Sequence, residues 1–263
     1  MLGAEMREQT WNLRQATTHH FLSFQNLLDF HDLTSSWLKE LNIERAPHLL
    51  SRGISHHYPE SVAMLELLAS RELGAFLDDT APEDILGRLE NIVWIVQAWT
   101  LKSILERSGE RSGERSGDQP QDNATSTLES VLEQTSWKEG RRIGEQRWSN
   151  RTHRGESDLR PLRSALADSP FRGNTFNRPV EDLFILKRAL RHEVSLELCA
   201  CPHRVSVPEV QSVEDLLCRL HGQWMRGFLY ALNNQIHVKT EFARPRCTQT
   251  WSLQTPPDLQ GPP

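Results

Sequence analysis

The sequence predicts an α+β fold: an N-terminal helical region, a linker, and a small antiparallel sheet packed with helices. Three observations predict it. Through the first 106 residues, apolar positions recur at helical spacing. Arg107 to Asp118, RSGERSGERSGD, then carries no apolar residue at all. Beyond residue 180 the period shortens, in brief β-rich segments set apart by turn residues. The divisions expected are 1–106 helical, 107–127 linker, 128–254 an α+β domain and 255–263 a tail.

Each element has a local reason. Phe21, Phe24, Leu27, Leu28 and His31 stand three and four apart and make one helical face. Pro59-Glu60 opens a second helix, SVAMLELLASRELGAFL, with Pro where its missing N–H is harmless. Thr80-Ala-Pro-Glu83 starts a third, with Thr80 as N-cap and Glu83 completing a capping box. This helix is apolar on most of its circumference from Ile92 to Leu101, which predicts burial, with Trp94 and Trp99 as core. The RSGE repeat has nothing to bury against the entropy of ordering, so it reads, with QPQDNATS, as a disordered surface linker.

Helix is expected again from Leu128 through Trp148, and a shorter one over Asp158 to Leu166, before a loop at Phe171-Arg-Gly-Asn-Thr. Leu183 to Ala189 and Val194 to Cys201 read as a hairpin turning at Leu190-Arg-His-Glu. Alternation puts Val194, Leu196, Leu198 and Ala200 on one face of the second strand, and Ser195, Glu197, Cys199 and Cys201 on the other. Val213 to Leu232 is an amphipathic helix capped at Asn233-Asn234. Ile236 to Phe242 and Thr248 to Leu253 form a second hairpin around Arg244-Pro-Arg, and the Pro-rich tail from Thr255 is expected to be disordered.

Composition excludes several functions. The chain is 37% hydrophobic and 25% charged with a net charge of −5, which offers no basic stripe for nucleic acid. No apolar run approaches the roughly 18 residues of a membrane span. MLGAEMREQTWNL lacks the apolar core of a signal peptide, so a cytoplasmic location and cysteine thiols are expected. The glycosylation sequons at Asn123 and Asn150 then count as chance matches.

All four cysteines, Cys199, Cys201, Cys218 and Cys247, fall between Val194 and Leu253. Cys218 and His221 are three apart on the expected helix and share a face. With Cys201 and Cys247 they would complete a four-ligand zinc site, if sheet and helix pack on the right sides. The competing reading makes Cys199 and Cys218 small buried hydrophobes. The N-terminal histidines are poorer candidates. His20 and His31 share a face but stand roughly 16 Å apart along a helix, and His19 and His20 point about 100° apart. His56-His57 falls in a loop or cap.

Several pieces taken together carry a resemblance. They are Gly140-Arg-Arg-Ile-Gly-Glu-Gln-Arg-Trp148, Leu198-Cys-Ala-Cys-Pro202, Leu217-Cys-Arg-Leu-His-Gly-Gln-Trp-Met-Arg-Gly-Phe228 with Asn233-Asn234, and Cys247-Thr-Gln-Thr-Trp-Ser-Leu253. In order and spacing, residues 128–253 resemble the L-2-amino-thiazoline-4-carboxylate hydrolase-like family, relatives of the 4-vinyl reductase and TRAPP-like ligand-binding domains. The chain departs from the family where Arg246-Cys247 precedes Thr-Gln-Thr-Trp. Relatives often place Gly-Asp before that cysteine, and several have a further cysteine after it.

The resemblance implies a hydrolase acting on a cyclic C=N carbon. Cys201 and His221 would be the catalytic pair, and His203, Trp224 and Arg226 the substrate contacts. A Cys201 thiolate would need a cation beside it, and His203, His221 and Arg226 are the candidates. The alternative is a non-catalytic ligand-binding or scaffolding protein. It would act on a small-molecule ligand, or on a protein partner or second copy through the N-terminal helices.

Overall fold

The computed structural model describes residues 18–43, 82–113, 121–148, 184–190, 193–198, 208–243 and 246–253. The elements are α1 (Thr18–Glu40), α2 (Pro82–Gly113), α3 (Gln121–Trp148), β1 (Phe184–Leu190), β2 (Glu193–Leu198), a 3-10 turn (Pro208–Val213), α4 (Glu214–Leu232), β3 (Ile236–Ala243) and β4 (Arg246–Leu253). The fold is α+β, as the sequence predicts. It divides into two compact units. Among the described residues, the first holds α1, α2, the opening of α3 to Glu129, and residues 208–217; the second holds α3 from Ser130, the four strands and α4 from Cys218.

In the first unit, α1 buries Leu27 and Leu28 of the expected face, while His31 is half-buried and Phe30, Leu33 and Trp37 carry the burial around to the other side of the helix. It ends in a Schellman motif: Ile43 N–H donates to Leu38 O at 2.9 Å and Asn42 N–H to Lys39 O at 3.1 Å. Asn42 takes the left-handed conformation this requires, with φ at 50°. α2 packs against α1 and against the 3-10 turn. Phe30 meets Trp94 with centroids 5.0 Å apart, and Gln97 Nε2 donates to Phe30 O at 2.7 Å. Ile92 to Ala98 are all buried, as the all-round apolar pattern predicts. Trp94 belongs to this core, while Trp99 is half-buried under the Lys102 ammonium.

The expected linker over 107–127 needs correction. α2 runs on to Gly113 and α3 already begins at Gln121, so helix occupies both ends of that stretch. The physical reason is cooperativity. A helix nucleated by the buried Ile92–Leu101 segment propagates at one hydrogen bond per residue, and Arg and Glu are good helix formers that need no partner to continue it. Residues 114–120 lie outside the described residues, as do the expected helices at 60–77 and 158–166, the Thr80 cap and the 255–263 tail.

The second unit carries an antiparallel sheet in the order β1-β2-β4-β3. β1 and β2 form the expected hairpin, though tighter: Leu190 pairs with Glu193, so two residues connect the strands. A register shift between Leu186 and Arg188 bulges β1. β3 and β4 form the second hairpin, with Ala243 paired to Arg246. The hairpins join through β2 and β4, which aligns Val194, Trp251 and Val238 in one cross-strand row. All three are buried. The next row, Ser195, Thr250 and Lys239, opens toward the other face, where Ser195 and Thr250 hydroxyls meet at 3.4 Å.

α3 and α4 cross with their backbones in contact, and glycine makes this possible. A Cβ on Gly140 would lie 1.9 Å from Trp224 O, one on Gly227 2.0 Å from Trp137 O, and one on Gly144 2.7 Å from Phe228 O. Gly140 and Gly144 stand one turn apart on α3; Gly227 and Ala231 do the same on α4. Small residues at that spacing let two helices approach until backbone meets backbone.

Candidate functional site

α4 carries Cys218, His221, Trp224 and Arg226 of the residues singled out from sequence. Glu214 and Asp215 lie in its first turn, where carboxylates complement the positive end of the helix dipole. Its circumference is almost wholly covered. Leu216, Leu217, Leu220, His221, Trp224, Met225, Phe228, Leu229 and Leu232 are buried. Asp215, Arg219, Arg226 and Tyr230 form the exposed stripe. Asn233 ends the helix: its N–H donates to Leu229 O, and its side-chain Oδ1 accepts the Gln235 N–H at 2.9 Å.

This distribution separates the candidates. His221 and Trp224 are both 0% exposed. The Trp224 ring stacks on Phe228, with centroids 5.1 Å and planes 13° apart. Arg226 is exposed and donates to Gln223 Oε1 at 3.3 Å. Two residues along a helix turn the direction by about 200°, so Trp224 and Arg226 face opposite ways. Cys218 is a half-buried thiol one turn before His221. Cys247 sits in β4, paired through the backbone with Leu198 and Phe242. Cys199, Cys201 and His203 lie outside the described residues, as does His56-His57.

For zinc, Cys218 and His221 supply two donors at one-turn spacing, which fits half of a tetrahedral set. Among the described residues no group of three or more His, Cys, Asp and Glu side chains gathers to hold a metal ion. His31 lies 3.9 Å from Asp32, both partly exposed on α1, and makes a local contact rather than a cluster.

Sequence reasoning passed over a different constellation. Trp137 on α3 and Tyr230 on α4 meet with ring centroids 5.5 Å apart. The Arg141 guanidinium lies 5.7 Å from the first ring and 5.6 Å from the second. Arg141 Nε donates to Glu145 at 2.8 Å, and that hydrogen bond, then the carboxylate's charge, holds the guanidinium above its ordinary pKa. Arg141 therefore remains a cation at any working pH. Tyr230 is one of two large apolar side chains exposed among the described residues. The four-residue step from Trp137 to Arg141 was legible, but its partner on α4 was not.

No known protein family, curated protein or solved structure matches this chain. Among the described residues, no helix is long and apolar enough to cross a membrane.

Proposed function

We propose that the chain is a non-catalytic binding or scaffolding protein of 4-vinyl reductase-like fold, acting on a small-molecule ligand or a protein partner in the cytoplasm. One observation carries this reading: the candidate chemistry on α4 points in divergent directions. His221 and Trp224 are fully buried, while Arg226 projects from the opposite side. A substrate cleft needs such groups to converge within hydrogen-bond reach of one reacting atom. The glycine-locked crossing of α3 and α4 suits a rigid frame better than a site that must open and close. The apolar faces of α1 and α2 are already buried, so a partner reaching them would meet their polar sides.

The test is turnover of thiazoline carboxylates and other cyclic amidines by the purified chain. No turnover is expected. Turnover that disappears in Cys201→Ser and in His221→Gln, each with unchanged circular dichroism, would overturn the proposal in favour of the hydrolase. That second reading draws on the thiol and imidazole of Cys218 and His221, one turn apart on α4. Zinc at close to one equivalent per chain, lost in Cys218→Ser, would favour it further.

A further inference from the structure

β3 lies at one end of the sheet order and β1 at the other. The two edges differ. β1 carries the bulge between Leu186 and Arg188, a device that turns an edge away from a further strand. β3 pairs with β4 along all 8 of its residues without a shift of register, so its outer edge is regular. Among the described residues no other strand runs beside it. In an antiparallel ladder, alternate residues exchange hydrogen bonds with the neighbouring strand. Ile236 gives its N–H to Asn233 O at 3.0 Å instead of to β4. Val238, Thr240 and Phe242 share its phase, so their backbone N–H and C=O groups face outward from the sheet.

Two opposite charges alternate with those outward groups. Lys239 and Glu241 pair with each other at 2.6 Å, their side chains 67% and 60% exposed. Their neighbours on β4 are Thr250 and Thr248, both uncharged. An edge lysine ordinarily repels a further strand, but this pattern admits one partner. Let β3 of a second copy run antiparallel to this one about a twofold axis at Thr240. Lys239 of each copy then stands opposite Glu241 of the other. These are non-hydrogen-bonded positions, where facing side chains come closest. Moving the axis one residue either way sets Lys239 against Lys239, or Glu241 against Glu241. The outward backbone groups fit the same register. It places Thr240 opposite Thr240 and Val238 opposite Phe242, closing about six hydrogen bonds.

We infer that this chain self-associates through β3, whose outer edge pairs antiparallel with β3 of a second copy about Thr240 and joins the two four-stranded sheets into one. Charge selects a second copy over an unrelated extended peptide, because Lys239 and Glu241 supply both halves of each cross-strand pair. The four charges then alternate in sign around the axis, a network rather than an isolated surface pair. β3 belongs to the second unit, so this surface is distinct from the N-terminal helices through which a second copy was expected to bind. The pairing goes beyond the proposed function and holds whether or not the chain is catalytic.

Sedimentation equilibrium of the full chain reads its mass across concentration. A rise from 30.3 kDa toward twice that value is expected, with a midpoint of about 1–100 μM. Lys239→Glu leaves two carboxylates on each edge and Glu241→Lys two ammonium groups, so either variant alone should associate at least about tenfold more weakly. Mixed in equal amounts, the two variants restore every opposite-charge pair and should associate as tightly as the parent. The double variant Lys239→Glu, Glu241→Lys restores the pattern within one chain and should recover the same association. One single variant with the parent's circular dichroism is therefore enough for the comparison. A parent chain that stays at 30.3 kDa up to about 500 μM overturns the inference, and an extended peptide would then be the occupant to seek. A dimer that the single variants leave intact also overturns it, because another surface would hold the copies together. So does a mixture, or a double variant, that associates no more tightly than the single variants.

Discussion

Replacing Gly140 by alanine tests the α3–α4 crossing directly. In an isolated helix the change is favourable by about 1 kcal/mol, because alanine orders at lower entropic cost. Here the added methyl carbon would stand 1.9 Å from Trp224 O. The closest ordinary carbon–oxygen contact is about 3.3 Å, so the helices must part by roughly 1.4 Å. The obstacle is a helical carbonyl, which cannot rotate aside as a side chain would. A gap of that size forfeits much of the dispersion between the buried side chains on either flank. Overpacking of this kind costs about 3 kcal/mol, leaving a net loss of about 2 after the helix gain. For a chain of this length that is a fall in Tm of about 4–8 °C. Thermal unfolding followed by far-UV circular dichroism reads it, with Gln134→Ala, exposed on the same helix, as the neutral control. A Gly140→Ala protein that melts at or above the parent temperature would refute the close crossing, since only the propensity gain would then be acting.

Further predictions follow from the same packing. Gly227→Ala should cost about as much as Gly140→Ala, and Gly144→Ala less, because its nearest obstacles lie at 2.7 Å and include the Ala231 methyl; equilibrium urea unfolding gives the order. Trp251→Phe should cost about 1 kcal/mol and Trp251→Ala about 3–5, because the packed ring contributes most of the stability and Trp251 Nε1 has no hydrogen-bond partner among the described residues. Asn42→Gly should stabilise by up to about 1 kcal/mol and Asn42→Val destabilise by about 1–2, read as shifts in denaturation midpoint, since only the first relieves the left-handed backbone. Lys239 is held above its ordinary pKa by its hydrogen bond to Glu241 and then by that carboxylate's charge. Raised in the fold, it stabilises fully below about pH 10.5 and loses that contribution above it; Lys239→Met should therefore leave the pH dependence of Tm between about 6 and 9 unchanged.

Much of the fold was legible because it depends on neighbours in sequence. The burial of Ile92–Ala98, the α4 helix with its Asn233 end, and both hairpins follow from periods and caps that act over a few residues. The linker expectation failed at its ends for a cooperative reason. Composition reports what a segment could bury, not whether a stable helix beside it will propagate through. The candidate site was legible only as a list of residue types. That Cys218 and His221 share a turn is a property of helical spacing. That His221 and Trp224 face inward while Arg226 faces out depends on what covers each side of α4.

The sequence by itself therefore determined the class, most of the strand and helix positions, and the clustering of sulfur and imidazole in the last third of the chain. Tertiary structure decided three things. It joined the two hairpins through β2 and β4, setting the Val194–Trp251–Val238 row. It gave Gly140, Gly144 and Gly227 their purpose as points of backbone contact. It also brought Trp137 and Arg141 of one helix against Tyr230 of another. The physical reason is common to all three. Local propensity and periodicity act within a turn or a pleat, whereas the β2–β4 pairing and the α3–α4 contacts join residues far apart in the chain, and only close packing selects which of them meet.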